Sequence, residues 1–585
     1  VPGNRLVQGL QHLAEQAGRP IRLENESVIV ALLETYGNLP EINEYLQTFG
    51  FATLSTLIKD VWHRRFQQSL RLVHDLKTQS RVLCAFGGLL DLGYSLDQNK
   101  MDILEDWCLK HRLNATNPTS RDPANELFKP ADIVAALGAA FRSKGLKPVV
   151  KDSKLRRALR EEFPLKPTSR NLGGASATIA ETLTQLGVDA RVYTMYLSPE
   201  QALAYASEWN TRWVDLSSDS PEYPLASAAG KEDHPTRFTY VLAYSDGLLL
   251  KSQNVTASRT DRCLLRVMPF VGKKLRSFSV GRRPVDISAD GEWPSVTGFV
   301  TWKITNKDRV SVEFVEPPVL KELATAHHYI VLNSPGIGQL QKPAEPQPKA
   351  LLKQLRTLAE AGASIHLEIS GGADRKHKIR PVADSLTGVV RSMGINDEEL
   401  SQVAALRDYP ARLPPVAPAS APEVYRRYVQ ALRLAKTLKL DRLYVHGNDV
   451  DLLLRRSASE AGLQLELQAG LFTKGAVIVS LLLRNGRDPL TIEFPPALYH
   501  EGFRALIQFA SAFARAKYAV DKPAQRGLFE RIVADGYFLE TRNEEYSIAL
   551  IPVMWPEVVA VDPSINTTGA GDICSGIDLI YSGWR

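Results

Sequence analysis

Cysteine and long apolar runs are both scarce in this 585-residue chain. The four cysteines, Cys84, Cys108, Cys263 and Cys574, form no Cys-x-x-Cys pair and stand near no pair of histidines. That argues against a disulfide framework and against a structural zinc site, and makes a reducing compartment the expectation. The protein is expected to be intracellular, cytoplasmic by default. A first residue other than Met leaves a trimmed start and a mitochondrial or other organellar home open. No signal peptide is visible, and no apolar run reaches the ~18–20 residues of a membrane span. The best candidate, Ala476–Leu483, stops at Arg484 and reads as a core helix, so no membrane partner is expected. An excess of one charge is missing too, with 71 basic against 65 acidic residues and a net charge of +6. Such a mild surplus suits phosphorylated substrates or weak nucleic-acid contact and proves neither. Internal repeats and long low-complexity tracts are absent.

What is present divides into four segments, because the length exceeds what one compact core accommodates. Residues 1–78 are helical in pattern, with Leu6, Leu10 and Leu13 on one face, and read as an added segment that offers a partner surface. Residues 79–200 open with the strand-like Arg81–Ala85, a glycine turn and Asp91, and continue through helices to Gly173, Gly174 and Ala175 at the head of a small-residue helix. Residues 201–320 turn to short alternating segments and read as a β-rich lid or insertion. Its basic residues, Lys273, Lys274, Arg276, Arg282 and Arg283, lack an aromatic ladder, so contact with nucleic acid or a protein complex is the weaker use of that surface. Residues 321–585 alternate strands and helices, including strands at His328–Asn333, Ser364–Ile369 and Arg442–His446 and helices at Glu423–Leu438 and Gly470–Arg484. Alternation of this kind gives a layered α/β core with a largely parallel sheet.

Three acidic motifs fall at or just beyond strand ends: His366-Leu-Glu368, Asn396-Asp-Glu-Glu399 and Gly569-Ala-Gly-Asp572. Strand ends on one edge of a parallel sheet converge, so the three can share a crevice. Two carboxylates held apart suit Mg²⁺, a hard cation that keeps waters. Gly569 and Gly571 let backbone approach an anion, and the helix after them directs its N–H groups the same way. Asp572 then stands where it can take a proton from a hydroxyl that attacks a phosphoryl group. Each motif has a plainer use: His366 and Glu368 as a core pair, Asn396-x-x-Glu399 as a helix cap, Asp572 as an N-terminal cap.

Taken in order, these motifs resemble the ADP-dependent sugar kinases, glucokinase and phosphofructokinase, of the ribokinase-like superfamily. The resemblance runs from about residue 80 to 585 and includes Arg81–Asp91, Gly173-Gly174-Ala175, Tyr196–Ala202, Ile365–Ser370, Ser392–Leu400, Arg442–His446 and the closing Gly-Ala-Gly-Asp. It implies a ribokinase-like α/β core with a β-rich lid, sugar bound between the two and nucleotide at the core. By the same resemblance Glu368 and Glu399 support Mg²⁺, and Asp572 is the base. Gly569, Ala570 and Gly571 line the anion hole, Asn396, His446 and Thr568 meet the nucleotide, and Asp91 with Gly173, Gly174 and Ala175 meets the sugar. Two departures stand at the sugar end. Gly87 and Leu89 replace asparagines of the family's N-x-N-I-D arrangement, and Ala175 and Ser176 replace its Asn or Gln and Ala. Lost amides weaken recognition of hydroxyls, on the order of 10⁴–10⁵-fold where a polar site loses its partner. Ala570, where the ADP-dependent members favour Leu, leaves ATP open as donor.

The expectation is therefore a Mg²⁺- and ADP-dependent kinase acting on a sugar or sugar phosphate. Its rival is a kinase-fold protein with a decayed sugar site that serves as a structural subunit through its N-terminal helices and basic surface.

Overall fold

The computed structural model describes residues 5–17, 63–71, 80–111, 125–142, 146–205, 210–218, 220–231, 236–267, 277–280, 283–286, 298–306, 309–333, 346–369, 385–404, 421–492, 500–517, 537–540, 545–553 and 570–582, with the single residues 123, 234, 531, 535 and 565. A ten-stranded sheet forms its centre. Seven strands run parallel in the spatial order Arg212–Trp213, Asp189–Tyr193, Arg81–Ala85, Tyr329–Asn333, Ser364–Glu368, Ser392–Asn396 and Arg442–His446. Three antiparallel strands, Val450–Arg456, Tyr546–Pro552 and Phe538–Glu540, complete one edge. The inner strands are buried along nearly their whole length. They read as unbroken apolar runs, as strands covered on both faces do.

Helix Ala570–Tyr581 packs on helices Ala175–Gln185 and Glu460–Arg484, and on the strands that end at Glu368, Asn396 and His446. A second group, Asp397–Ala404, Glu423–Leu438 and His500–Lys517, packs together beside strand Val450–Arg456. The helix expected from Gly470 begins ten residues earlier, at Glu460, capped by Ser459, whose side chain accepts from the Gly462 N–H. At 25 residues it is long and apolar enough to cross a bilayer, but most of it is buried inside the protein. It is a core helix, as its stop at Arg484 suggested.

The smaller sheet has six strands in the order Glu126–Leu127, Val149–Val150, Asp261–Val267, Phe238–Tyr244, Leu89–Leu96 and Ser169–Gly173. Its two faces differ in the way strand alternation requires. Leu90, Leu92, Tyr94, Tyr240, Leu242, Cys263 and Leu265 point to one side and form a separate core with helices Gln98–Lys110, Pro130–Arg142 and Ser153–Glu162. On the other side one row across the sheet reads Arg266, Thr239, Asp91, Asn171. Asp91 therefore lies inside a strand of its own, and not in a loop following Arg81–Ala85. The boundary drawn at residue 200 also cuts through this sheet, which takes four strands from before it and two from after.

Strands Ser277–Val280, Arg283–Asp286, Val300–Asn306 and Arg309–Phe314 form a separate four-stranded sheet, and the start of strand Val300–Asn306 is tied to the central core. Val300 N–H donates to Tyr193 Oη (2.8 Å), and Phe299 exchanges two hydrogen bonds with the Gln354 amide (2.7 and 3.0 Å). The 201–320 segment is thus not one lid. Lys273, Lys274, Arg276 and Arg282 lie outside the described residues.

Helix Arg5–Ala17 buries Leu6, Leu10 and Leu13 fully, and Phe66 is buried with them. A Cβ at Gly475 would stand 2.7 Å from Phe66 Cζ and 3.3 Å from Leu10 Cδ2, so that glycine lets the N-terminal residues seat on the core helix. The apolar face of the first helix is occupied by the chain itself and is not open to a partner.

Candidate active site

Successive parallel strands end at Asn333, Glu368, Asn396 and His446. The register pairs Asn333 with Glu368, Glu368 with Gly394, and Asn396 with His446. The first turn of helix Ala570–Tyr581, with Asp572 in it, sits against these ends. Glu368, Glu399, Asn396, His446, Ala570, Gly571 and Asp572 are therefore brought to one edge of the sheet. Thr568 and Gly569 lie outside the described residues.

Both glutamates also have partners in their own chain. Glu368 is almost wholly buried, with Oε1 3.1 Å from His446 Nε2 and Oε2 3.7 Å from His366 Nε2. His366 Nδ1 in turn meets Ser392 Oγ at 2.8 Å. Burial alone would raise the Glu368 pKa, but the two imidazoles outweigh it and hold the carboxyl below its ordinary range. The same contact raises His446 although burial opposes it. Glu399 and Asn396 form a reciprocal cap: Glu399 N–H donates to Asn396 Oδ1 (2.7 Å) and Asn396 N–H to Glu399 Oε2 (3.2 Å). The cap and core-pair uses of these motifs are real and coexist with their place at the site.

Asp572 is half-buried. Burial and then the charges of Glu368 and Glu399 push its pKa up to about 7, against smaller opposing effects of His446 and Lys147. A carboxylate with that pKa is poised to accept a proton near neutral pH. Lys147, just before strand Val149–Val150, is lowered by burial and by Arg266, while the charges of Asp572 and Glu399 support its protonated form. Electrostatically, this lysine joins the polar face of the smaller sheet to the acidic strand ends.

On that polar face Asp91 is 2% exposed, and its Oδ2 has no hydrogen-bond partner. Burial raises its pKa to about 6 against the pull of Arg484, Arg262, the Thr239 hydroxyl and Arg266. A buried polar atom without a partner is an atom shaped for a ligand, or strained without one. Gly173 makes room for Asp91, since a Cβ there would lie 2.5 Å from Asp91 Cγ. Gly174 has φ +82° and no side-chain cap, and opens helix Ala175–Gln185. Ala175 and Ser176, by contrast, are buried, and Ser176 Oγ accepts from the Gly87 N–H (3.2 Å). The Ala175 side chain therefore belongs to the core packing beneath the helix start.

Lys147, Arg262, Arg266, Arg484 and Asn333 were missed in the sequence. Arg484 looked like no more than the polar end of an apolar run, yet it donates to Leu172 O and its charge acts on Asp91 and Asp572 together. No spacing marks it, because 312 residues separate it from Leu172.

The donor set answers which metal could be held. Among the described residues no group of three or more His, Cys, Asp or Glu is arranged to grip an ion directly. Glu368 Oε2 nevertheless lacks a hydrogen-bond partner, and the charges of Glu368 and Glu399 both repel the Asp572 carboxylate. Both features fit a hydrated Mg²⁺ held through its waters.

No protein-family model matches the chain, and no curated protein matches it in sequence. Solved structures do match in fold. One is a last common ancestor of ADP-dependent phosphofructokinases from Methanosarcinales (TM-score 0.57, 16% identity, 90% of this chain and 98% of that one). Another is an ADP-dependent kinase in complex with fructose-6-phosphate and ADPβS (0.59, 16%, 89% and 97%). A third is a hypothetical ADP-dependent phosphofructokinase from Pyrococcus horikoshii OT3 (0.54, 16%, 86% and 98%).

Proposed function

We propose that this chain, which has the ribokinase-like fold of the ADP-dependent sugar kinases, transfers a phosphoryl group from ADP to a hydroxyl of a sugar phosphate. The observation that carries the reading is the convergence of Asp572 with Glu368 and Glu399 at the strand ends, opposite a sheet face bearing Asp91, Arg262 and Arg266. The unpartnered Asp91 Oδ2 would accept from an acceptor hydroxyl. Arg262, Arg266 and Lys147 would attract an anionic acceptor more than a neutral hexose, and the amides that would grip hydroxyls are replaced at Gly87 and Leu89. Asp572 would take the proton as the acceptor oxygen bonds to the β-phosphorus and the bridging P–O bond breaks, releasing AMP. Glu368 and Glu399 would hold Mg²⁺ through water, and the ion when bound supplies charge neutralisation to the phosphates. Closure of the smaller sheet over the strand ends would exclude water.

The rival reading, a non-catalytic subunit with this fold, draws support from the engagement of both glutamates within the chain. A thermal-shift titration with ADP, ATP and AMP, each with and without Mg²⁺, separates the two. A ligand at a hundredfold over its Kd adds ~2.7 kcal/mol to the native state. A Mg-dependent shift with ADP, followed by AMP release with fructose 6-phosphate and not with glucose, is the expected result. No shift with any nucleotide would leave the structural role as the better account.

A further inference from the structure

His446 is 8% exposed, which leaves little of it to touch a ligand. Its Nε2 is 3.1 Å from Glu368 Oε1. Gly571 also lies against this ring, where a Cβ would run into His446 Cε1 and stand 3.1 Å from Nδ1 and 3.3 Å from Nε2. Gly571 is helical and is not among the glycines with positive φ, so its backbone conformation does not demand glycine. Its neighbour does.

We infer that His446 is a positioning residue, packed against both Glu368 and Gly571, that sets where the first turn of helix Ala570–Tyr581 and its Asp572 stand relative to the strand ends. The sequence offered two other uses for these residues: His446 as a nucleotide ligand, and Gly571 as an opening for an anion. The packing accounts for both identities at once. Any larger residue at 571 moves the helix start away from the sheet, and loss of the ring lets it settle inward. The catalytic consequence rests on the kinase reading; the packing does not.

A double-mutant cycle tests it on the full chain, with His446→Ala, Gly571→Ala and the pair, read by Tm and by turnover with ADP and fructose 6-phosphate. Gly571→Ala should lower Tm by roughly 1–2 °C or more in the wild-type background and by clearly less beside His446→Ala, because contacting residues are not additive. In turnover His446→Ala should lower kcat at least ~10-fold, with KM for ADP within about twofold. His446→Gln, which keeps an N–H for Glu368, should recover part of that loss, whereas His446→Phe should not. Equal costs of Gly571→Ala in both backgrounds would overturn the inference. So would a raised KM for ADP with kcat intact, which would make His446 a nucleotide ligand. If the wild-type protein neither binds nucleotide nor turns over, the kinase reading fails and the Tm cycle alone decides the packing.

Discussion

Replacing Asp572 by Asn should stabilise the protein while removing its activity, and the stabilisation should depend on pH. The folded chain raises this carboxyl from its ordinary 3.8 to about 7, so the native state holds the proton more tightly than the unfolded chain does. Stability linked to that proton is fully present below pH ~4 and is lost as pH rises through about 7. Fully expressed, the rise would amount to ~4 kcal/mol at ~1.36 kcal/mol per pH unit. Asp572 is half-buried, and solvent screening reduces the figure to about 1–2 kcal/mol. The Asn variant carries no charge to penalise. It should match the wild type at pH 4 and exceed it by about 1–2 kcal/mol at pH 8, as measured by urea unfolding at four or five pH values. Turnover should fall ~10²–10⁴-fold, the range for loss of a positioned base. A variant that is less stable at every pH, or whose advantage does not change with pH, would refute the electrostatic account of this site.

Three further outcomes follow from other parts of the molecule. Leu10→Ala should lower stability by about 2–5 kcal/mol in chemical denaturation, because Leu10 is fully buried with Phe66 near the core helix; a surface-like effect below about 0.5 kcal/mol would mean that the first helix detaches. Arg442→Met should cost about 3–5 kcal/mol, since it leaves Glu466 and Asp578 as buried charges without their main partner; the Arg442→Met/Asp578→Asn pair should recover part of the loss in the same assay. Arg266→Ala should raise KM for a phosphorylated acceptor several-fold and leave the ADP-induced thermal shift unchanged, and a lost ADP shift would place Arg266 on the nucleotide.

Much of the core was legible because its periodicity is strong. Strand Arg442–His446 and helix Glu423–Leu438 have the expected bounds, and strand Tyr329–Asn333 begins one residue late. Glycine and proline punctuate these elements, and each buries a continuous apolar stretch. Strand Val450–Arg456 went unread because only three residues, 447–449, separate it from its partner. Their compact turn depends on Gly447, where a Cβ would run into the Val450 carbonyl, and its N–H donates to Asp451 Oδ1 at 3.0 Å while its carbonyl accepts from Lys474 at 3.1 Å. Asp91 was read correctly as an acid near a glycine turn but was assigned to the wrong setting. Nothing local says that residues 81–85 and 89–96 enter different sheets.

The sequence alone settled the alternation of strands and helices and the placing of Glu368 and Asn396 at strand ends, because each depends on neighbours a few residues apart; the helix expected after Asp572 instead starts at Ala570 and takes Gly571 and Asp572 into its first turn. Tertiary structure alone decided which distant charges meet. Arg484 reaches Leu172, Lys147 feels Asp572, and His446 fills the space that Gly571 leaves. Those contacts bring together groups more than a hundred residues apart in sequence, and local propensity carries no information at that range.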